Sequence, residues 1–133
     1  MKKDNFTSDV KTWLAFAEYD LKSAKWQLEG KIYVSACYSS QQAAEKALKT
    51  LLLENGKVPP KIHSLDRLVS ALKKIKIDVS EIESDARELD TYYITTRYPG
   101  QYGGPEGLYD LEDASEAIAS AANILTFVKR RLR

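Results

Sequence analysis

The stretch YVSACYSSQQAAEKALKTLLLE, from about Tyr33 to Glu54, settles the architecture. It contains no glycine or proline and is rich in Ala and Leu, the strongest helix formers. Its apolar residues, Ala36, Cys37, Ala43, Ala44, Ala47, Leu48, Leu51 and Leu52, lie on more than one side of the helix. A helix apolar most of the way round belongs in the middle of a bundle. Its small side chains let neighbouring helices come close. Asn55-Gly56 stops it, and Pro59-Pro60 forces an extended linker.

On either side of this helix the chain reads as all helix. A first helix is expected after Thr7 or Ser8, either of which can cap it. Val10, Trp13, Leu14, Ala17, Leu21, Ala24 and Leu28 then recur at three- and four-residue steps until Gly30. A third, shorter helix follows Ser64, with Leu65, Leu68, Val69, Leu72 and Ile75 inward. Ser80-x-x-Glu83 has the pattern of a capping box and predicts a fourth helix reaching about Arg97, with Pro99 beyond it. The fifth helix follows Asp110, and Leu111, Ala114, Ile118, Ala121, Leu125, Val128 and Leu132 predict its seam. No alternating β-branched run or hairpin turn is present. The expected fold is a single all-α domain over residues 1–133. It is an up-and-down bundle of about five helices, a four-helix core plus one short helix.

Composition narrows the function. The 133 residues carry 20 Lys+Arg and 19 Asp+Glu, so bulk charge announces neither nucleic acid nor membrane. Charge is uneven along the chain, however: Asp78 to Glu116 sums to −9 and the remainder to +10. Solvated helix faces account for such a split, and so would halves that bind each other or different partners. One cysteine, Cys37, excludes an intrachain disulfide and a Cys-rich zinc site; one histidine, His63, excludes every motif needing two. No cofactor or metal is expected, no run suits a membrane span, and the charged N-terminus lacks a secretory pattern. A reduced, cytoplasmic protein is the expectation.

Two places carry candidate chemistry. The first is the polar side of the central helix, Gln41, Gln42, Glu45, Lys46 and Lys49, with His63 on the approach to the third helix. Glu45 and Lys49 form an i,i+4 pair in the favourable order. These groups read as a solvated stripe or as the wall of a cleft. The second is Arg97 to Asp110, a Gly/Pro-rich loop holding four of the six glycines and three of the eight tyrosines. At fourteen residues it is long for a small bundle. Arg97 complements the end of a helix, or joins Tyr98 and Tyr102 as an anion-and-ring site: guanidinium binds phosphate bidentately and tyrosine stacks on a base.

Trp13, Ala17, Asp20-Leu21 and Ala24, then Tyr33 to Lys49, then His63-Ser64-Leu65, and finally Arg97-Tyr98-Pro99 follow one another in an order that resembles HEPN domains, the higher-eukaryote-and-prokaryote nucleotide-binding family. The resemblance spans nearly the whole chain. It implies an up-and-down helical bundle, usually a homodimer. It also implies a prokaryotic protein that works beside a minimal nucleotidyltransferase in toxin–antitoxin-like pairs. Some members of the wider superfamily are metal-independent ribonucleases marked by an arginine followed, after four to six residues, by histidine. Arg97 matches that arginine, but Tyr102, Gly103 and Gly104 stand where the histidine falls.

The sequence therefore predicts a non-catalytic binding module without catalytic or metal-binding residues. It would recognise a nucleotide, a partner nucleotidyltransferase, or both, and would form a homodimer. Its candidate ligand-binding residues are Arg97, Tyr98, Tyr102, Glu45, Lys46 and His63. The alternative is a ribonuclease of the superfamily with an altered site and RNA as substrate.

Overall fold

The computed structural model describes residues 9–95 and 104–133. Among these residues six α-helices follow in order: α1 (Val10–Glu29), α2 (Tyr33–Glu54), α3 (Leu65–Lys74), α4 (Glu83–Asp90), α5 (Tyr92–Thr95) and α6 (Leu111–Arg130). No strand occurs among the described residues. The up-and-down order follows from the contacts. Gln27 meets Ser39 and Asp20 meets Lys46, so α1 and α2 run antiparallel. Glu88 meets Ser120 and Glu81 meets Arg131, so α4 and α6 do the same.

The central placement of α2 holds, packed against α1, α3, α4, α5 and α6. Ala36, Ala43, Ala44 and Ala47 are fully buried where the neighbours approach, and Leu48, Leu51 and Leu52 fill the space beyond them. One contiguous core joins these residues to Leu65, Leu68 and Leu72 of α3, Leu89 of α4, and Ile124 and Phe127 of α6.

Several boundaries differ from the sequence reading, each for a local reason. Asp9 caps α1, accepting from the N–H groups of Lys11 (3.0 Å) and Thr12 (3.3 Å). Thr7 and Ser8 lie outside the described residues. Gly30 sits at the end of α1 with φ −82°, and it is Lys31 that takes the left-handed conformation, at φ 63°. The N–H of Lys31 bonds the carbonyl of Leu28 (3.0 Å) and that of Ile32 bonds Gln27 (2.8 Å), a Schellman closure. The same closure ends α2 at Gly56 (φ 76°) and α3 at Lys76 (φ 71°).

The expected capping box at Ser80 does not form. Asp78 accepts from the Ser80 N–H at 3.0 Å, and Ser80–Ile82 is a short 3-10 turn leading into α4. A carboxylate two residues upstream reaches that N–H as an Asx turn, so Glu83 is not needed there. The single fourth helix is interrupted at Thr91. Its hydroxyl bonds the Glu88 carbonyl at 2.7 Å while its backbone stays helical, so α4 and α5 follow one another as segments of one helical stretch. The buried face of α6 is wider than the expected seam. Leu111 is 55% exposed and Ile118 half-buried, whereas Ala117, Ser120, Ile124 and Phe127 are buried beside Ala114, Ala121, Leu125 and Val128. α6 packs on α1, α2 and α4 together, which demands a wider buried face than a two-helix seam.

Candidate functional site

Gln41, Glu45 and Lys49 recur one turn apart and form a single line on α2. All three are buried, unlike a solvated stripe. The Glu45 carboxylate is the centre of the cluster. Its Oε2 lies 3.0 Å from Lys49 Nζ and 3.2 Å from His63 Nδ1. Its Oε1 accepts from Gln41 Nε2 (3.3 Å) and Gln42 Nε2 (3.5 Å). Burying a carboxylate is tolerable only when it is paired and hydrogen-bonded in this way. No buried side-chain polar atom among the described residues lacks a partner.

His63 reaches this cluster because the chain around it is pinned twice. Gln41 Nε2 donates to the His63 carbonyl at 3.1 Å. One residue on, Ser64 caps α3, accepting from the Arg67 N–H. Asp90, at the end of α4, accepts from the N–H groups of Leu65 (2.6 Å) and Asp66 (3.0 Å) and from the Ser64 hydroxyl (3.2 Å). An anion at a helix N-terminus satisfies orphan donors and the helix dipole together. The imidazole itself is about half exposed and stacks on Tyr93 of α5, with ring centroids 4.8 Å apart and planes at 15°. Buried Glu45 thus presents an imidazole on an aromatic ring at the surface.

The structure brings Glu45 and His63 together and sends Lys46 elsewhere. Lys46 Nζ pairs with Asp20 of α1 at 2.6 Å and sits 5.7 Å from the centre of the Phe16 ring, in a groove lined by Thr12, Trp13 and Phe16. Arg97, Tyr98 and Tyr102 lie outside the described residues. Sequence reasoning missed Tyr93 and Asp90 as members of the site. Tyr93 reads as an inward residue of the fourth helix and Asp90 as one more acid of the acidic segment. The available signal was position: Tyr93 stands four residues before Arg97.

Cys37 is core filler. Burial first, then the nearby acids Asp113, Asp110 and Glu88, push its thiol up to about 12, so no nucleophilic thiolate forms at neutral pH. Among the described residues no cluster of three His, Cys, Asp or Glu is placed to hold a metal ion, and no helix is long and apolar enough to cross a membrane.

The model of the HEPN domain matches residues 10–131. The Methanocaldococcus jannaschii protein named "Putative toxin MJ1304" is 32% identical, over 93% of this chain and 88% of its own length. Among solved structures, TT1696 of Thermus thermophilus superposes with a TM-score of 0.86 at 37% identity, covering 92% of this chain and 98% of its own. ST0689, an archaeal HEPN homologue, gives 0.78 at 36% identity over the whole of both chains. The HEPN domain protein tm0613 of Thermotoga maritima gives 0.72 at 30% identity, over 89% of this chain and 94% of its own.

Proposed function

The chain belongs to the HEPN domain family, and we propose that it is a non-catalytic nucleotide-recognition module of a toxin–antitoxin-like pair, its partner a minimal nucleotidyltransferase. The observation that carries this reading is the surface imidazole of His63, fixed by buried Glu45 and stacked on Tyr93, on a helical segment that leads in sequence to Arg97. The half-exposed imidazole, backed by an aromatic ring, offers a face to a nucleobase, and an arginine close in sequence offers a fork to phosphate. The absence of histidine after Arg97 at the superfamily spacing supports binding over cleavage. Similarity to a protein named as a toxin supports the paired setting.

Titration calorimetry with a nucleoside triphosphate tests the reading. Arg97→Ala weakens binding by roughly 1.5–3 kcal/mol, the scale of a hydrogen bond to a charged group. Arg97→Lys restores part of this, since an ammonium cannot form the bidentate fork. His63→Ala weakens binding through the lost ring face. Unchanged affinity in Arg97→Ala and His63→Ala alike removes the site.

One observation favours the second reading, a ribonuclease with an altered site. A carboxylate on Nδ1 is the arrangement that orients a histidine acting as general base through its other nitrogen. RNA hydrolysis by the wild type, lost in both Arg97→Ala and His63→Ala, replaces the first reading with this one.

A further inference from the structure

Four of the six large apolar side chains left exposed among the described residues fall within α1 and the turn after it. They are Phe16 at 56%, Tyr19 at 67%, Trp26 at 73% and Ile32 at 54%. Trp26 follows buried Ala17 by nine residues, and at about 100° per residue the two point in opposite directions from the helix axis. Tyr19 lies seven residues before Trp26, within about 20° of the same line. Both rings therefore stand on the side of α1 turned away from the core. Large apolar side chains gathered on one surface mark a place of interaction.

Cations border the rings. Lys22 falls between them, three residues from Tyr19 and four from Trp26, with Lys25 on its flank and Lys31 in the turn. All three lysines are exposed, and none pairs with a carboxylate among the described residues. The acids of α1 are mostly engaged elsewhere: Glu18 pairs with Lys129 of α6 and Asp20 with Lys46 of α2. Glu29 is the one acid of the helix left to offset the three lysines. A groove between α1 and α6 brings Lys129 to the same flank as Lys22 and Lys25.

The residue types decide what covers this face. Lysine is depleted from the core of protein–protein interfaces, yet here an ammonium stands between the two most exposed rings. A lipid surface accepts that mixture. Tyr and Trp join an apolar body to a polar tip and suit the headgroup level. Lysine lays its stem along the acyl boundary and keeps its ammonium among anionic headgroups. We propose that α1 lies flat on an anionic bilayer surface. Tyr19, Trp26 and Ile32 enter the headgroup region, and Lys22, Lys25 and Lys31 meet the lipid anions. The contact is peripheral, since no helix among the described residues is long and apolar enough to cross a membrane. A few ring tips and a small excess of positive charge give a weak, reversible and salt-sensitive association. This goes beyond the nucleotide-binding reading and does not rest on it, because Glu45, His63 and Tyr93 take no part.

Co-sedimentation of the full chain with vesicles of equal parts phosphatidylglycerol and phosphatidylcholine tests the proposal, with circular dichroism confirming that each variant is folded. The wild type sediments with these vesicles at low salt, not with phosphatidylcholine alone, and added salt releases it. Trp13→Phe leaves Trp26 as the one tryptophan. Its emission shifts to the blue on the anionic vesicles and is quenched by brominated acyl chains. Tyr19→Ser with Trp26→Ser, and separately Lys22→Glu with Lys25→Glu, each weaken binding by about tenfold or more. Lys57→Glu with Lys74→Glu changes net charge equally at exposed residues outside α1 and leaves binding within about threefold. A wild type that ignores the anionic vesicles, a Trp26 whose emission does not change on them, or equal losses in the two lysine pairs overturns the proposal. Should the wild type ignore vesicles while the α1 variants lose single-stranded RNA or dissociate a dimer, the face serves nucleic acid or a second copy, and the proposal falls.

Discussion

Glu45 and Lys46 are neighbours on α2, yet they serve two regions that differ in kind. Glu45 points into the junction of α2, α3 and α5, is 6% exposed, and is met by Gln41, Lys49 and His63. Lys46 points the other way, towards α1, and its pair with Asp20 is partly open to solvent. In the first region Glu45 and Lys49 are both buried, so the loss of one of them leaves the other's charge with no ready replacement. In the second, water substitutes for either partner at little cost. Two ion pairs begun one residue apart on the same helix therefore differ in what they contribute.

The largest expected effect tests the first half of this contrast. Glu45→Ala leaves the Lys49 ammonium buried without its carboxylate and should destabilise by about 3–5 kcal/mol in urea denaturation. Adding Lys49→Met should return much of that loss, since no lone charge then remains. A double variant as unstable as the two single losses combined would show that the pair is not coupled. Next comes Leu48→Ala, fully buried on the core side of the same helix, which should cost ~2–5 kcal/mol through the cavity it leaves. A loss below about 1 kcal/mol would show that the core closes over the missing side chain.

On the α1 side, Asp20→Asn should cost less than about 1 kcal/mol, as expected for a partly exposed pair. A loss matching that of Glu45→Ala would erase the distinction between the regions. Smaller still, and of opposite sign, Lys31→Gly and Lys76→Gly should each stabilise by roughly 0.5–1 kcal/mol, because glycine takes the left-handed conformation without a Cβ clash. Thermal melts of the two variants measure this.

Acidification probes the helix ends separately from both regions. Hydrogen bonds to Asp113 hold the Asp110 carboxyl below its ordinary 3.8, and those to Thr12 do the same for Asp9. A carboxyl held lower in the folded chain than in the unfolded one adds stability above the unfolded value, and that stability is lost as pH falls through the folded value. The caps of α6 and α1 should therefore weaken only below about pH 4, a window that urea midpoints from pH 5 to 2 would reveal. Replacing Asp110 by Ala should flatten that dependence.

Much of the fold was legible because its signals are local. The limits of α2 follow from an uninterrupted helical run closed by Asn55-Gly56, and Ser64 and Asp110 cap the helices expected of them. The misreadings fall where two local solutions compete. Asp78 takes the N–H that Ser80 and Glu83 were expected to organise, and Lys31 takes the left-handed position one residue after the glycine. The face of α6 was drawn too narrow because a helix with three neighbours buries more than a single seam.

Period, caps and small residues act within a few turns of one another, so the order of amino acids alone specifies a helical bundle with α2 at its centre. The same order makes His63 the chain's one imidazole and leaves no histidine after Arg97. Which polar residues share a site is a matter of packing between helices. Glu45 and His63 are eighteen residues apart in the chain and meet because Gln41 and Asp90 pin the approach to α3. Lys46, next to Glu45, is turned away by about 100° of helical rotation. Which side of a helix is dry depends on what packs against it, and that information lies in the other helices.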